Sequence, residues 1–285
     1  MVSDSGDPAL GGVGLGIVEE GSEVRHVAGA VRLEVEGAIA TITNDNPEKH
    51  NAFDDDMDAQ LFDVLAEVRT RPDVRAVVWR GVGKSFSSGR DVGALGGADA
   101  GMTHHELMRR GHRGIRAIFD LDAPIIVALQ GWAIGASFQR ALLCDIRVAA
   151  EGARFMLPEV GHGVIPDTGG VGRIFQMCGH GVAADMVLTG RVMGADEALG
   201  YGIVSRVVPL ERLDDEVREI AEKIVAAPAV TVRAARRILN HLALPELVAS
   251  MDEEMIAQTF IARSDDMAEM RAARTEGRPP VYRGS

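Results

Sequence analysis

Residues 130–170 constrain this chain more than any other stretch. Residues 124–129 read as a buried strand that breaks at Gly131-Trp132-Ala133-Ile134-Gly135 before a helix over 136–143. A second strand, over 145–149, follows. A strand that stops at small residues and restarts as a helix directs free backbone N–H groups at one point, a ready site for an anion. Two loops then supply carboxylates: Glu159 after Leu157-Pro158, and Asp167 in Ile165-Pro166-Asp167-Thr168-Gly169-Gly170. Donors for a developing oxyanion beside a proton-transfer carboxylate point to chemistry on a carbonyl compound.

The rest of the chain supports an α/β core. Val31, Leu33 and Val35 alternate ahead of Gly37, which predicts a hairpin over 31–44. Residues 54–70 open on an acidic cluster suited to a helix N-terminus, with Met57, Leu61, Val64, Leu65 and Val68 on one face. Residues 76–79 form a short buried strand, 93–101 a Gly/Ala loop, and 104–121 a helix. Strands alternating with helices of this length imply right-handed crossovers and a largely parallel sheet. Beyond Gly170 the strand signal fades. Helices are expected over 171–189, 213–226, 230–243 and 246–262, with breaks at Pro228 and Pro245. Residues 1–28 read as a mobile tail.

Composition removes several classes. A chain of 285 residues, 46% of them hydrophobic, can bury one large core. Its formal net charge of -12 offers no basic field for nucleic acid or anionic lipid. No apolar run approaches the ~20 residues that span a bilayer, and the first residues lack the basic start of a signal peptide. Cys144 and Cys178 are too few for a disulfide framework and suit a reducing cytoplasm. Gly81-Val82-Gly83-Lys84-Ser85 fails as a phosphate loop, because position 78, where that motif needs Gly, is Val. The glycines at 12, 14 and 16 follow no strand, so a dinucleotide site fails on context. His104 and His105, about 100° apart on a helix, make a poor metal pair.

Several separated motifs share one order. Asn46-Pro47-Glu48-Lys49-His50-Asn51-Ala52, Gly83-Lys84-Ser85-Phe86-Ser87-Ser88-Gly89-Arg90-Asp91, residues 130–139, Leu188-Thr189-Gly190-Arg191 and Ala195-Asp196-Glu197-Ala198 fall in succession. Together they resemble the crotonase family, the enoyl-CoA hydratase/isomerase superfamily, over residues 31–282. The resemblance implies a crotonase-type spiral of ββα repeats with a helical C-terminal trimerisation region. It divides the chain into the tail, a core over 29–212 and an oligomerisation region over 213–285, assembled as a homotrimer or dimer of trimers. It also implies an acyl-CoA thioester substrate, with CoA part of that substrate and no separate cofactor.

The resemblance assigns the site residue by residue. The oxyanion donors are the backbone N–H groups of Arg90 and Ala136, each such donor typically worth ~3–4 kcal/mol of barrier. Glu159 and Asp167 are the candidate catalytic carboxylates. Lys49, His50, Ser88, Asp91, Val92 and Gln139 are expected to contact substrate or CoA, and Tyr282-Arg283 resembles a pair that can reach a neighbouring subunit's CoA. Glu159 has a bland reading as a solvated or capping residue, Asp167 as an Asx turn, and His162 as a bystander on its turn. Gln139 occupies the position of the first of two hydratase glutamates, and an amide cannot exchange a proton at neutral pH. That departure tilts the expectation toward double-bond isomerisation by Glu159, Asp167 or both. Hydration of a 2-enoyl-CoA is the alternative, and a weakly catalytic CoA-binding subunit a further one.

Overall fold

The computed structural model describes residues 29–91 and 104–285. The N-terminal tail, the 93–101 loop, Val92 and the side chains of His104 and His105 lie outside the described residues.

The chain opens as a hairpin of β1 (Ala30–Glu36) and β2 (Ile39–Asp45), turning at Gly37 with φ 59. Helix α1 (Asp55–Arg69) starts where the Asp54 carboxylate accepts the Met57 N–H at 2.9 Å, a side-chain cap. It buries Met57, Leu61, Leu65 and Val68. Strand β3 (Ala76–Gly81) pairs parallel with β2, and after α2 (His104–Asp120) strand β4 (Ile125–Leu129) pairs parallel with β3. Then come β5 (Trp132–Ile134), α3 (Gly135–Leu143), β6 (Ile146–Ala150) and β7 (Arg154–Met156). The C-terminal half contains α4 (Gly170–Thr189), β8 (Met193–Gly194), α5 (Ala195–Gly200), β9 (Arg206–Val208), α6 (Leu213–Ala226), α7 (Ala229–Ile261) and α8 (Asp265–Glu276).

Two sheets result, with orders β1-β2-β3-β4-β6-β9 and β5-β7-β8. Strands β3 and β4 are buried almost throughout because both faces of the first sheet are covered. Val77, Trp79, Ile125, Val127 and Leu129 join the main core with α1, α2 and α3. Their alternate neighbours Ala76, Val78, Ile126 and Ala128 meet Leu213, Val217, Ile220 and Ala221 of α6. Helix α6 therefore packs on the sheet, although it belongs to the C-terminal region in the sequence reading.

Pro245 does not break the last long helix, contrary to the expectation from sequence. Helix α7 runs unbroken from Ala229 to Ile261 with Pro245 inside it. Proline removes one intrahelical hydrogen bond and crowds the preceding turn, but α7 is anchored on both sides of it. Arg236 is buried before the proline, and Leu247, Met251, Glu254 and Gln258 are buried after it.

Arg236 also closes the C-terminus of α2, whose last carbonyls have no partner within the helix. Its guanidinium donates to the carbonyls of Ile118 at 3.0 Å, Phe119 at 3.1 Å and Leu121, and its Nε to Asp145 at 2.9 Å. Asp145 in turn accepts the Ile125 N–H at 2.8 Å, at the start of β4. Arg236→Met should strand a largely buried carboxylate and three carbonyls, costing about 3–5 kcal/mol in urea unfolding. A loss below about 1 kcal/mol would show that this cap is dispensable.

Candidate active site

Two loops that leave the same end of the parallel strands β2 and β3 are fastened together before any chemistry is possible. The first, residues 46–53, turns through left-handed His50 and Asn51. Asn51 is fully buried; its carbonyl oxygen accepts the Asn46 N–H at 2.7 Å, and its amide donates to the Val82 and Ser85 carbonyls at 2.9 and 2.7 Å. The second loop, residues 82–91, is pinned through Ser87. Its hydroxyl has one proton, which goes to the Asn51 carbonyl at 2.6 Å. It must therefore accept from Ser137 Oγ at 2.7 Å and from the Gly89 N–H at 3.1 Å. Ser137 lies in the first turn of α3, so one hydroxyl aligns both loops with the start of that helix.

This alignment presents the two expected oxyanion donors. Phe53 and Arg90 form a parallel bridge in which the Phe53 N–H bonds the Gly89 carbonyl and the Asp91 N–H bonds the Phe53 carbonyl. The Arg90 N–H consequently points off the opposite edge of the strand. Ala136 is the second residue of α3, where N–H groups have no intrahelical acceptor. The two segments touch: a Cβ placed on Gly89 would fall 2.6 Å from the Ile134 carbonyl oxygen.

Glu159 reaches the same turn. It begins the 3-10 turn Glu159–His162, and a Cβ on Gly135 would lie 3.1 Å from its Oε1. That oxygen accepts the Gln139 amide at 2.7 Å, while Oε2 is buried without a hydrogen-bond partner. Gln139 is itself buried, and its carbonyl oxygen accepts the N–H groups of Thr168 at 3.0 Å and Gly170 at 3.2 Å. Three bonds fix which end of the amide is which. Gln139 thus carries Glu159 on one end and the Asp167 loop on the other.

The Asp167 loop is gripped from three helices. Besides Gln139 of α3, Glu254 of α7 accepts the Gly169 N–H at 2.9 Å, and Gln258 of α7 accepts the Ile165 N–H at 3.1 Å. His112 of α2 lies 2.7 Å from the Asp167 carbonyl through Nε2, and a carbonyl only accepts, so that nitrogen carries a proton. The sequence reading missed Glu254, Gln258 and His112. They sit 55 to 93 residues from the backbone groups they hold, and no local pattern marks them.

Burial sets the charge of the carboxylates. It pushes Glu159 up to about 7, opposed by its own backbone N–H and the Gln139 amide and assisted by the Asp167 charge. It pushes Asp167 up to about 6, opposed by its own N–H and by Arg140 and Arg90. Glu254 is pushed up to about 7, again mainly by burial. Both Asp167 and Glu159 can therefore hold or release a proton near neutral pH.

The other expected site residues surround the loops. Lys49 pairs with Asp91 at 2.8 Å, Ser88 Oγ donates to the Lys49 carbonyl at 3.1 Å, and His50 Nδ1 meets Ser85 Oγ at 3.0 Å. The Arg90 side chain, unlike its backbone, is committed away from the donor turn, to Asp58 at 2.7 Å and to Asp55. His162 is exposed on its turn, Tyr282 and Arg283 lie on the exposed C-terminal segment, and no side-chain bond joins any of them to Glu159 or Asp167. Among the described residues no cluster of three His, Cys, Asp or Glu could hold a metal ion, and no helix is long and apolar enough to cross a membrane.

Known proteins share the sequence pattern and fold of this chain. Residues 34–285 match the family model described as enoyl-CoA hydratase/isomerase. The chain belongs to the enoyl-CoA hydratase/isomerase family. It is 34% identical over 260 residues to the carnitinyl-CoA dehydratase of Escherichia coli strain K12, covering 90% of this chain and 98% of that protein. Its fold matches an enoyl-CoA hydratase/isomerase from Pseudoalteromonas atlantica T6c with a TM-score of 0.80 at 28% identity, covering 89% of this chain and 99% of that one. It also matches a carnitinyl-CoA hydratase from Mycobacterium avium with a TM-score of 0.78 at 32% identity, over 91% and 100% of the two chains. The fold is thus the crotonase fold, and the chain is an enzyme of this family.

Gln139 gives the sharpest test of this geometry. Its donated hydrogen bond favours ionised Glu159, so Gln139→Leu should raise the Glu159 pKa above about 7. The limb of the pH–rate profile that reports Glu159 should move to higher pH, whichever direction its proton travels. An unmoved limb, with the variant folded, would mean that this bond does not set the ionisation.

Proposed function

We propose that this protein catalyses reversible addition of water to, and elimination from, a CoA thioester of the enoyl class. The observation that carries the reading is the pair Glu159 and Asp167, coupled through their charges and raised to about 7 and about 6. Burial raises both into the neutral range, and the charge of Asp167 favours a proton on Glu159, which is the division an acid/base pair needs. In hydration, the thioester oxygen rests between the Arg90 and Ala136 N–H groups, which stabilise the enolate as charge reaches it. Asp167 takes a proton from water as its oxygen bonds to the β-carbon. Glu159, beside the Gly135 turn, delivers its proton to the α-carbon. Elimination runs the same steps backward. Lys49, His50, Ser88 and Asp91 contact the CoA portion, and no separate cofactor is required.

Double-bond isomerisation is the second reading, and Gln139 favours it. The residue at the first hydratase glutamate position has no proton to exchange and is spent on Glu159, Thr168 and Gly170. A single base, Glu159, would then move one proton between the α- and γ-carbons. The dehydratase and hydratase relatives weigh toward water chemistry.

Glu159→Gln should lower crotonyl-CoA hydration by about 10²–10⁴-fold, and Asp167→Asn by at least about tenfold, since acid/base groups contribute on that scale. The wild-type profile of kcat/KM should be bell-shaped between about 6 and about 7. If Asp167→Asn retained near wild-type turnover of a 3-enoyl-CoA while Glu159→Gln lost it, isomerisation would replace hydration. A protein that bound CoA thioesters but turned over none would be a binding subunit.

We infer also that the chain works in the cytoplasm and as a homotrimer or dimer of trimers. Both cysteines are free, which suits the first statement. The second is supported by α7. At 100° per residue, Ile238, Leu242, Ile256 and Phe260 form a stripe about 180° from Arg236, Leu247, Glu254 and Gln258. The first four are 62–76% exposed and the second four are buried. A helix apolar on its outer face needs a partner for it. Light scattering at micromolar concentration should give a mass near three or six chains, and Phe260→Asp should lower it; a wild-type monomer would overturn the assembly.

A further inference from the structure

Arg140 is a buried cation whose donors, beyond its charge on Asp167, the site described so far does not use. Only 4% of it is exposed. Its Nη2 meets Asp58 Oδ1 at 2.8 Å, an ion pair in which that oxygen receives no aligned hydrogen bond. Its Nε and Nη1 are buried and have no hydrogen-bond partner among the described residues. The plane of the guanidinium stacks on Phe53, its centre 5.1 Å from the ring centroid. The other oxygen of Asp58 accepts from Arg90 at 2.7 Å. Buried charged donors without acceptors are costly and rare, and one kept in a folded enzyme calls for an acceptor from outside the chain.

Its position says where that acceptor would come from. Arg140 follows Gln139 directly, on the turn of α3 that supports Glu159 and the Thr168 and Gly170 N–H groups. Phe53, on which it stacks, is bridged to Arg90, the residue whose N–H faces the thioester oxygen. Arg140 is also close enough to Asp167 for its charge to bear on that carboxylate. The guanidinium is therefore a cation beside the Asp167 carboxylate, on the helix whose first turn carries the Ala136 N–H.

We propose that Arg140 is a specificity residue that receives a carboxylate at the distal end of a short acyl chain, so the substrate class is a dicarboxylic mono-CoA thioester. The inference rests on the acyl-CoA reading above. A guanidinium with two free N–H edges matches a carboxylate in charge and in fork geometry. A plain alkyl end would leave those donors unmet. A quaternary ammonium end, the mirror case, would meet the like charge of Arg140.

Three 2-enoyl-CoA probes that differ only at C4 test this: crotonyl-CoA, its 4-carboxy analogue and its 4-trimethylammonio analogue. Wild type should prefer the 4-carboxy thioester over crotonyl-CoA by at least about tenfold in kcat/KM, the scale of one charged hydrogen-bonded contact. Arg140→Met should bring that ratio to about one, with Arg140→Lys intermediate. The ratio is the readout, because a merely structural defect would lower all three probes together. Calorimetric binding of glutaryl-CoA against butyryl-CoA asks the same question without turnover. Turnover of the probes with a ratio that ignores Arg140, or a preference for the trimethylammonio thioester, would overturn the inference and leave the reaction intact. Arg140-dependent preference for glutaryl-CoA with no turnover of any probe would uphold it and overturn the reaction.

Discussion

One buried amide holds the candidate site in one piece. Gln139 accepts two N–H groups from the Asp167 loop and donates to Glu159, from the same helix whose first turn carries the Ala136 N–H. Helix α3, the Glu159 turn and the start of α4 therefore cannot move independently. The packing is as close as the bonding: a Cβ on Gly170 would come within 2.2 Å of Gln139 Cγ, so the start of α4 needs a residue without one. A carboxylate at 139 could still accept the two N–H groups, but it would have no proton to offer Glu159 unless it took one up. The amide is the side chain that accepts on one oxygen and donates on the other end at every pH.

The electrostatics follow from that rigidity. A carboxyl group in a mobile loop finds water and keeps its ordinary proton affinity. Glu159 and Asp167 are held out of water by bonds to neighbouring backbone and amide groups, and burial is the largest influence on both. The cations Arg140 and Arg90 act on Asp167 and not noticeably on Glu159, while the Asp167 charge acts on Glu159. An aspartate already starts below a glutamate, 3.8 against 4.5, and the arginines add to that order. Asp58 of α1 meets both Arg90 and Arg140, so it fixes where that positive charge sits.

Much of this was legible in the sequence, and the part that was not has a common cause. The hairpin, α1, β3, β4, α3 and α6 are written in local periodicity and breakers, and the structure has them within a residue or two. The turn at Gly131 to Ala136, Glu159 and Asp167 could be singled out because backbone geometry and motif order mark them. Strands β5, β7, β8 and β9 have two or three residues each, too few to show alternation. Pro245 misled because the rule for proline is local, while the forces that keep α7 straight, at Arg236 and at Leu247, come from other helices. Glu254, Gln258, His112 and Arg140 look like ordinary helix residues. Their roles exist only through partners far away in the chain, so no window of sequence contains them.

Helix α7 shows what such distant contacts achieve. Its inner face caps α2 through Arg236, packs Leu247 and Met251 into the main core, and holds the Asp167 loop through Glu254 and Gln258. Neither side-chain bond to that loop involves a charge on the loop: Glu254 and Gln258 accept from backbone N–H groups that burial would otherwise leave unmet. Satisfying them costs the desolvation of Glu254, visible as its rise to about 7. The arrangement is favourable only while α7 stays seated, because a displaced helix would expose Leu247 and strand the Ile165 and Gly169 N–H groups at once. The position of Asp167 is consequently as firm as the packing of a helix that begins more than 60 residues after it, and the C-terminal helices are part of the site's scaffold.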